Sequence, residues 1–388
     1  MRGFSLFLLL AALALPAEAE KPANPKSDSP KQVTVNQLEQ SLSQTQGKTD
    51  AEMALALSGL ELTERVGAAR FAHLSANLPG EKSQQELLIL ADRAALLAPP
   101  EDETVADPTP DAATMRQMLV KIVNYVNTTV RQLPNLMAVR ETTGFEDRPE
   151  EDRLESTGVV SLSYLPLRAT GKSSIAVSYR DRKEVVDESA TKALKHPAPI
   201  EGLITSGLFG PILSTVLADA LKGKITWARW ERDADKRLAV FYYAVPGEKS
   251  NYDVRFCCVV KGLRSVGQAD VGVFDERASY HGDIVFDPAD GSILRITMEA
   301  EMPPKGLVPS AGVAIEYGPV EIGGRSYICP TRSVSLLTAH TAAQQGMFSQ
   351  SNYRGAATTF LNDVKFTQYR RFGSETRILT GDSSAPPQ

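Results

Sequence analysis

Residues 280–296, YHGDIVFDPADGSILRI, hold two strand-like runs and a turn, and their reading decides the fold. In the first run, Tyr280 to Phe286, His281 and Asp283 sit two apart and share one face of a strand. The Asp287-Pro288-Ala289-Asp290-Gly291 segment has turn chemistry, because Pro presets φ and Gly tolerates a positive one. Beyond it Leu294, Ile296 and Met298 alternate with Arg295, Thr297 and Glu299. A period of two with one apolar and one polar side predicts antiparallel strands, one face buried and the other wet.

The same rule extends outward from this hairpin. Val160, Leu162 and Tyr164 follow it, as do Ile175, Val177 and Tyr179, and then Val313, Ile315 and Tyr317. Leu238 to Val245 is apolar on both sides and predicts a central strand covered on each face. Pro246-Gly247-Glu248 and Gly323-Gly324 predict further strand-joining turns. Roughly ten to twelve strands are expected, joined mainly by sequential hairpins. Ile200 to Leu221 is apolar and broken by Gly210-Pro211, which predicts two short helices packed on the concave side of the sheet.

Ahead of the strands the period is helical. Leu38 and Leu42, then Met53, Leu57 and Leu60, then Leu87, Leu88, Ala91, Ala95 and Leu96 mark apolar faces over residues 35–98. Asp50 reads as a helix N-cap, and Pro79-Gly80 closes one helix before Ser83 opens the next. Residues 99–110, PPEDETVADPTP, are acidic, proline-rich and aperiodic, and are expected to form a linker. Thr109-Pro110-Asp111 then reads as a cap with Pro at the first helical position. Met115, Leu119, Ile122, Val126 and Val130 follow on one helix face that Pro134 ends. The fold class is therefore α+β: a small helical N-terminal unit, then a large, curved antiparallel sheet with a helical insert over residues 111–378.

The chain opens with Arg2, an apolar run from Phe4 to Leu15, and the small-x-small site Ala17-Glu18-Ala19. These features predict a signal peptide over residues 1–19. The run is 12 residues, shorter than the roughly 20 that span a bilayer. No Cys follows the cleavage site, so the mature chain from Glu20 is expected to be free of lipid and periplasmic or secreted, with no transmembrane segment. Residues 20–34 and 379–388 read as a disordered leader and tail. Arg2 and Glu18 leave together, so the net charge of -5 is kept, which argues against a nucleic-acid surface.

Little catalytic chemistry survives inspection. Cys257, Cys258 and Cys329 are an odd set for an oxidising compartment. Adjacent cysteines in a strand point apart, so the expected bridge runs from Cys329 to Cys257 or Cys258, the alternative being three free thiols. Neither CxxC nor paired-His spacing occurs, so no metal or cofactor is expected. Ala169-Thr170-Gly171-Lys172-Ser173 ends like a phosphate loop but has Pro166 where the required Gly should stand, and it reads as a hairpin turn. The pair His281 and Asp283 could serve acid–base chemistry, although a solvent-facing His is the commoner case. His73, His196 and His340 stand alone, and the Glu150-Glu151-Asp152 run falls in a loop. Asn127-Thr128-Thr129 matches a glycosylation sequon but lies on a helix. Trp227, Trp230, Phe241, Tyr242, Tyr243 and Phe256 cluster in consecutive strands, as core or as the lining of an apolar-ligand cavity.

From NLMAVRETTGF through YHGDIVFDPADGSILRI to YGPVEIGGRSYICPTRSVSL, the second half resembles the periplasmic half-barrels typified by LolA-like lipoprotein carriers. The whole chain, including LTERVG and LADRAALLAPPED, is also similar to uncharacterised exported proteins of soil bacteria. The half-barrel resemblance implies a curved sheet, plugged by helices near 200–221, that binds a lipid, a lipoprotein acyl chain or a partner's peptide. It carries no catalytic residues. The leading expectation is thus a non-enzymatic envelope protein binding a hydrophobic ligand or a protein partner in a sheet cavity lined by Trp227, Trp230, Phe241, Tyr243 and Phe256. Two other readings stand beside it: an interaction protein docking a partner through residues 35–98, and a hydrolase with His281 as its named candidate.

Overall fold

The computed structural model describes residues 30–44, 47–147, 166–181, 183–186, 201–203, 205, 207–233, 236–265, 268–340 and 357–372. The segment read as a signal peptide, most of the expected leader, the strand read at Val160–Tyr164, Glu150–Asp152, His196 and the expected tail lie outside the described residues. The N-terminal unit contains β1 (Lys31–Val33), α1 (Val35–Gln44), α2 (Asp50–Ser58), β2 (Leu60–Leu62), α3 (Ala68–Ala76) and α4 (Glu81–Arg93). There follow β3 (Thr104–Val105), α5 (Ala112–Gln132), β4 (Leu136–Glu146), β5 (Arg168–Arg180), β6 (Lys183–Val186), β7 (Gly202–Leu203) and α6 (Pro211–Lys222). The remainder is strand: β8 (Lys224–Asp233), β9 (Lys236–Val245), β10 (Asp253–Ser265), β11 (Gln268–Arg277) and β12 (Ser279–Phe286). The last four are β13 (Ile293–Glu301), β14 (Ser310–Ile322), β15 (Arg325–His340) and β16 (Ala357–Arg371).

The fold is α+β, with an open eleven-stranded sheet in the order β3-β8-β9-β12-β13-β14-β15-β16-β4-β5-β6. Every pairing in it is antiparallel. The deciding hairpin is β12–β13. Its turn closes through Gly291 N–H to Asp287 O at 2.8 Å and Asp287 N–H to Ser292 O at 2.9 Å. Gly291 has φ +82°, and a Cβ there would lie 2.5 Å from the Lys121 carbonyl carbon in α5. Lys121 Nζ also donates to the carbonyls of Pro288 and Ala289, so the turn is seated on a helix backbone. β9 is the expected central strand: Leu238, Ala239, Val240 and Phe241 are all buried.

Alternation gives the sheet two faces. On the first, Phe241, Tyr243, Tyr280, Ile284, Ile296, Val313, Ile315, Leu337 and Phe360 form one core with Met118, Ile122 and Val126 of α5. Leu213, Val216 and Leu217 of α6 join the same core, as do Val254, Phe256 and Phe274 of the small β11-β10-β7 sheet. Burying each such side chain fully contributes about 1.5–3 kcal/mol, so this cluster dominates the stability. The second face carries Arg229, Asp283, Arg295, Glu316, Arg332, Asp363 and Lys365, and the N-terminal helices lie against it. It was expected to be wet. The burial of Arg295 and Asp363 under α4 shows that it is partly covered instead.

Several local expectations shift. The N-cap of α2 is Thr49, whose hydroxyl and Glu52 form a capping box. Asp50, read as that cap, accepts from Ser83 N–H at 2.8 Å and Lys82 N–H at 3.1 Å, so it serves the first turn of α4. Asp111 rather than Thr109 caps α5, accepting from Thr114 N–H at 2.7 Å, which leaves Pro110 outside the helix. Ala169–Ser173 is strand, not turn: β5 pairs along β4 there, with Gly171 opposite Gly144. Pro246–Glu248 does not make a hairpin, because β9 is already flanked by β8 and β12, and the chain must leave for the second sheet. Near Gly210-Pro211 the described residues hold one helix, α6, with Gly210 as N-cap and Pro211 in the first turn, and the short strand β7 before it. The acidic, proline-rich 99–110 stretch lies along the sheet edge. Thr104 and Val105 pair with β8, Arg237 meets Asp107 at 2.5 Å, and Trp230 Nε1–H donates to Pro108 O at 3.1 Å.

Candidate binding cleft between the helical unit and the sheet

Of the aromatic residues nominated from sequence, Trp227, Trp230, Phe241, Tyr243 and Phe256 belong to the first-face core, while Tyr242 is exposed on the second face. Trp227 and Trp230 have ring centroids 4.6 Å apart, Trp227 and Phe241 5.9 Å, and Phe241 and Phe286 5.3 Å. Tyr243 packs on Tyr280 at 5.7 Å, and Phe256 on Phe360 at 5.2 Å. Their polar handles are used internally: Tyr243 O–H donates to Thr297 O at 2.7 Å, and the Trp230 indole to Pro108. Neither of the clefts described below is lined by any of these rings.

The cysteines arrange differently from the expected bridge. Cys257 and Cys258 are joined to each other, and Cys329 is a buried free thiol that burial pushes up to about 12. The alternation that separates neighbours in a strand is interrupted here, since the β10–β11 register shifts between Phe256 and Val259. His281 and Asp283 do share the second face, yet they are not partners. Asp283 accepts from Arg229 Nη2 at 2.7 Å, while His281 stands opposite Glu299 and 5.9 Å from the Tyr242 ring. Among the described residues no cluster of three or more His, Cys, Asp or Glu could hold a metal ion.

A polar site is built instead where α4 crosses the second face. The apolar footing is small: Ile89 packs with Phe145, Leu167 and Leu361, flanked by Leu88 and Leu336. Much of the rest of the contact is polar. Arg332 bridges Asp92 of α4 and Asp363 of β16, the latter at 2.7 Å. Arg65, between β2 and α3, reaches Glu231 of β8 at 2.7 Å, and Glu231 also accepts from Arg229 Nε at 2.9 Å. Arg295 of β13 donates to Ala95 O just beyond α4. The side chains align because register places Arg295 opposite Glu316, Glu316 opposite Arg332, and Arg332 opposite Lys365.

Burial sets the electrostatics. Asp92 and Asp363 are 0% and 3% exposed, and Glu231 is 2% exposed. Burial raises the Asp92 carboxyl above the ordinary carboxylate range. It opposes the Arg332 charge too, but Asp92 and Asp363 hold that guanidinium above its ordinary value. Burial and the nearby Arg65 lower Arg295 to about 10, so it is still a cation at neutral pH. Arg65 Nε has no hydrogen-bond partner among the described residues.

These groups open onto a cleft of about 210 Å³ lined by Arg295, Glu316, Arg332 and Lys365 from the sheet and by Arg65, Phe71 and Leu88 from the helical unit. A second cleft, of about 450 Å³, flanks the opposite side of α4, between Leu90, Arg93, Ala94 and Leu97 and the strand residues Leu336 and Thr359. Sequence reasoning missed Arg65, Arg295, Arg332 and Lys365 because each, alone, is an ordinary polar-face residue. For Arg295, Arg332 and Lys365 the available signal was a position on the wet side of a strand with a carboxylate across from it on a neighbouring strand, and Arg65, outside any strand, gave none.

Comparison with known proteins finds no matching family model, no matching curated protein and no matching solved structure.

Proposed function

We propose that this is a non-catalytic, exported binding protein whose ligand site is the 210 Å³ cleft between the helical unit and the sheet, and whose ligand is an anion. The observation that carries the reading is the lining itself: three guanidinium groups and one ammonium face the cleft, with Glu316 the one carboxylate among them. The other carboxylates, Asp92, Asp363 and Glu231, are buried behind the arginines. Asp92 and Asp363 hold the Arg332 fork and Glu231 holds that of Arg65, and planar forks fixed in this way suit carboxylate or phosphate oxygens. Arg295, buried and bonded to a backbone carbonyl, is the cation that an anion would compensate best.

Export is supported by the Arg2, Phe4–Leu15 and Ala17-Glu18-Ala19 pattern. A role akin to the half-barrel carriers is supported by strand pattern and the open antiparallel sheet, with the ligand moved from the aromatic face to the charged one. The test is a thermal-unfolding titration of the mature chain with inorganic phosphate at constant ionic strength. A ligand that binds only the folded state must raise the midpoint in a saturable way. The exposed rim variant Lys365→Glu should lose that rise. Equal responses from both proteins would remove the cleft as an anion site.

A further inference from the structure

The two walls of the cleft differ in chemistry. The strand wall is charged, as described. Beyond Arg65, the helical wall is made of Val66, Ala68, Phe71, Leu88, Ala91 and Ala95, six apolar side chains without a hydrogen-bonding group. A small inorganic anion would satisfy the first wall and leave the second against water. Apolar area left wet forgoes the gain of burial, so the second wall favours a ligand with hydrocarbon of its own.

Resting on the anion-binding reading above, we propose that the ligand is a single-chain anionic amphiphile. Its headgroup lies on Arg295, Arg332 and Lys365, and its first methylenes lie along Phe71, Leu88 and Ala91. The cleft of about 210 Å³ equals about seven water volumes at roughly 30 Å³ each. That space takes a carboxylate or phosphate head with a few methylenes, and the remainder of a longer chain leaves through the mouth beside Ala68. The charged wall selects the head and the apolar wall selects the chain. A neutral amphiphile of equal length covers the charged wall without offering its cations an anionic acceptor, which costs affinity.

Calorimetric titration of the mature chain separates the possibilities, using inorganic phosphate, acetate, decanoate, decyl phosphate and decyl maltoside below their micellar concentrations. Decanoate and decyl phosphate should bind on the order of tenfold or more tighter than acetate and inorganic phosphate, since each buried methylene contributes about 0.8 kcal/mol. Decyl maltoside should bind no better than acetate. Phe71→Ser should reduce decanoate binding by a larger factor than it reduces phosphate binding. Ala68→Glu, at an exposed position, should weaken every anion without disturbing the fold. Equal affinity for phosphate and decyl phosphate overturns the amphiphile while the anion site stands. Decyl maltoside binding as tightly as decanoate, or no binding by any of the five, overturns both readings.

Discussion

Asp50 and Thr49 are neighbours with separate duties. Thr49 caps its own helix, while the Asp50 carboxylate accepts from Ser83 N–H and Oγ–H and from Lys82 N–H. Hydrogen bonds to its charged form hold Asp50 below the usual carboxylate range, so its contribution is present above the unfolded value and lost as pH falls. Asp50→Ala should therefore lower the urea midpoint at pH 7 and have little effect near pH 2. A flat difference between those pH values would show that the contacts are not charge-assisted. Glu86 behaves oppositely. Burial alone raises it to about 6, so its stabilising proton is fully bound below the unfolded value and lost as pH rises through about 6. Glu86→Gln should stabilise the protein at pH 8 by about 1 kcal/mol, discounted for partial exposure, and leave pH 4 unchanged. Denaturant melts at the two pH values decide it. Neither assignment was legible in sequence, because Ser83 reaches Asp50 from a different helix and the burial of Glu86 comes from the packed surroundings of α4.

At the scale of elements, the β12–β13 hairpin was legible almost whole. Its alternation, turn residues and faces follow from positions within a single short segment. The contact of that turn with α5 was not. Gly291 lies at φ +82° with its missing Cβ directed at the backbone of Lys121 and Ile122. Gly291→Ala combines a strained φ with overpacking against atoms that cannot rotate away, and should destabilise by about 2–3 kcal/mol. A loss under about 0.5 kcal/mol would mean that turn and helix are not seated on one another. Gly323→Ala, at φ +61° with the nearest atoms 3.6 Å away in the Arg371 side chain, is the control that carries the φ strain without backbone overlap. The turn at Pro246–Glu248 joins two strands as expected, but they belong to different sheets, because a strand bordered on both sides offers no third edge.

Across the whole molecule, the sheet is clamped between an apolar layer and an ionic one. The helical unit holds to the second face through Ile89 and its neighbours and through Asp92–Arg332–Asp363 and Arg65–Glu231. Arg332→Met would leave Asp92 and Asp363 buried without their common cation, at a cost of about 3–5 kcal/mol. Amide exchange should then rise first in α2 and α4, before the β12–β16 strands. Uniform acceleration would show that the two layers unfold as one unit. The double variant Arg332→Met with Asp92→Asn should recover part of the loss, because it removes one of the stranded charges.

The sequence by itself determined what short-range periodicity can encode. It yielded the α+β class, the antiparallel strands, the helical unit and, in the regular strands such as β12 and β13, the face on which each side chain lies, since these depend on steric and hydrogen-bonding rules acting within a few residues. Only the tertiary structure decided which of those faces meet. The polar side of a strand looks the same in sequence whether water or another element lies against it. Arg332 finds Asp92 across 240 residues, Arg295 finds Ala95 across 200, and Arg65 finds Glu231 across 166. Such pairings are set by the order of strands and the docking of α4. The candidate cleft exists only because those distant choices place four cations along one edge of an apolar helix surface.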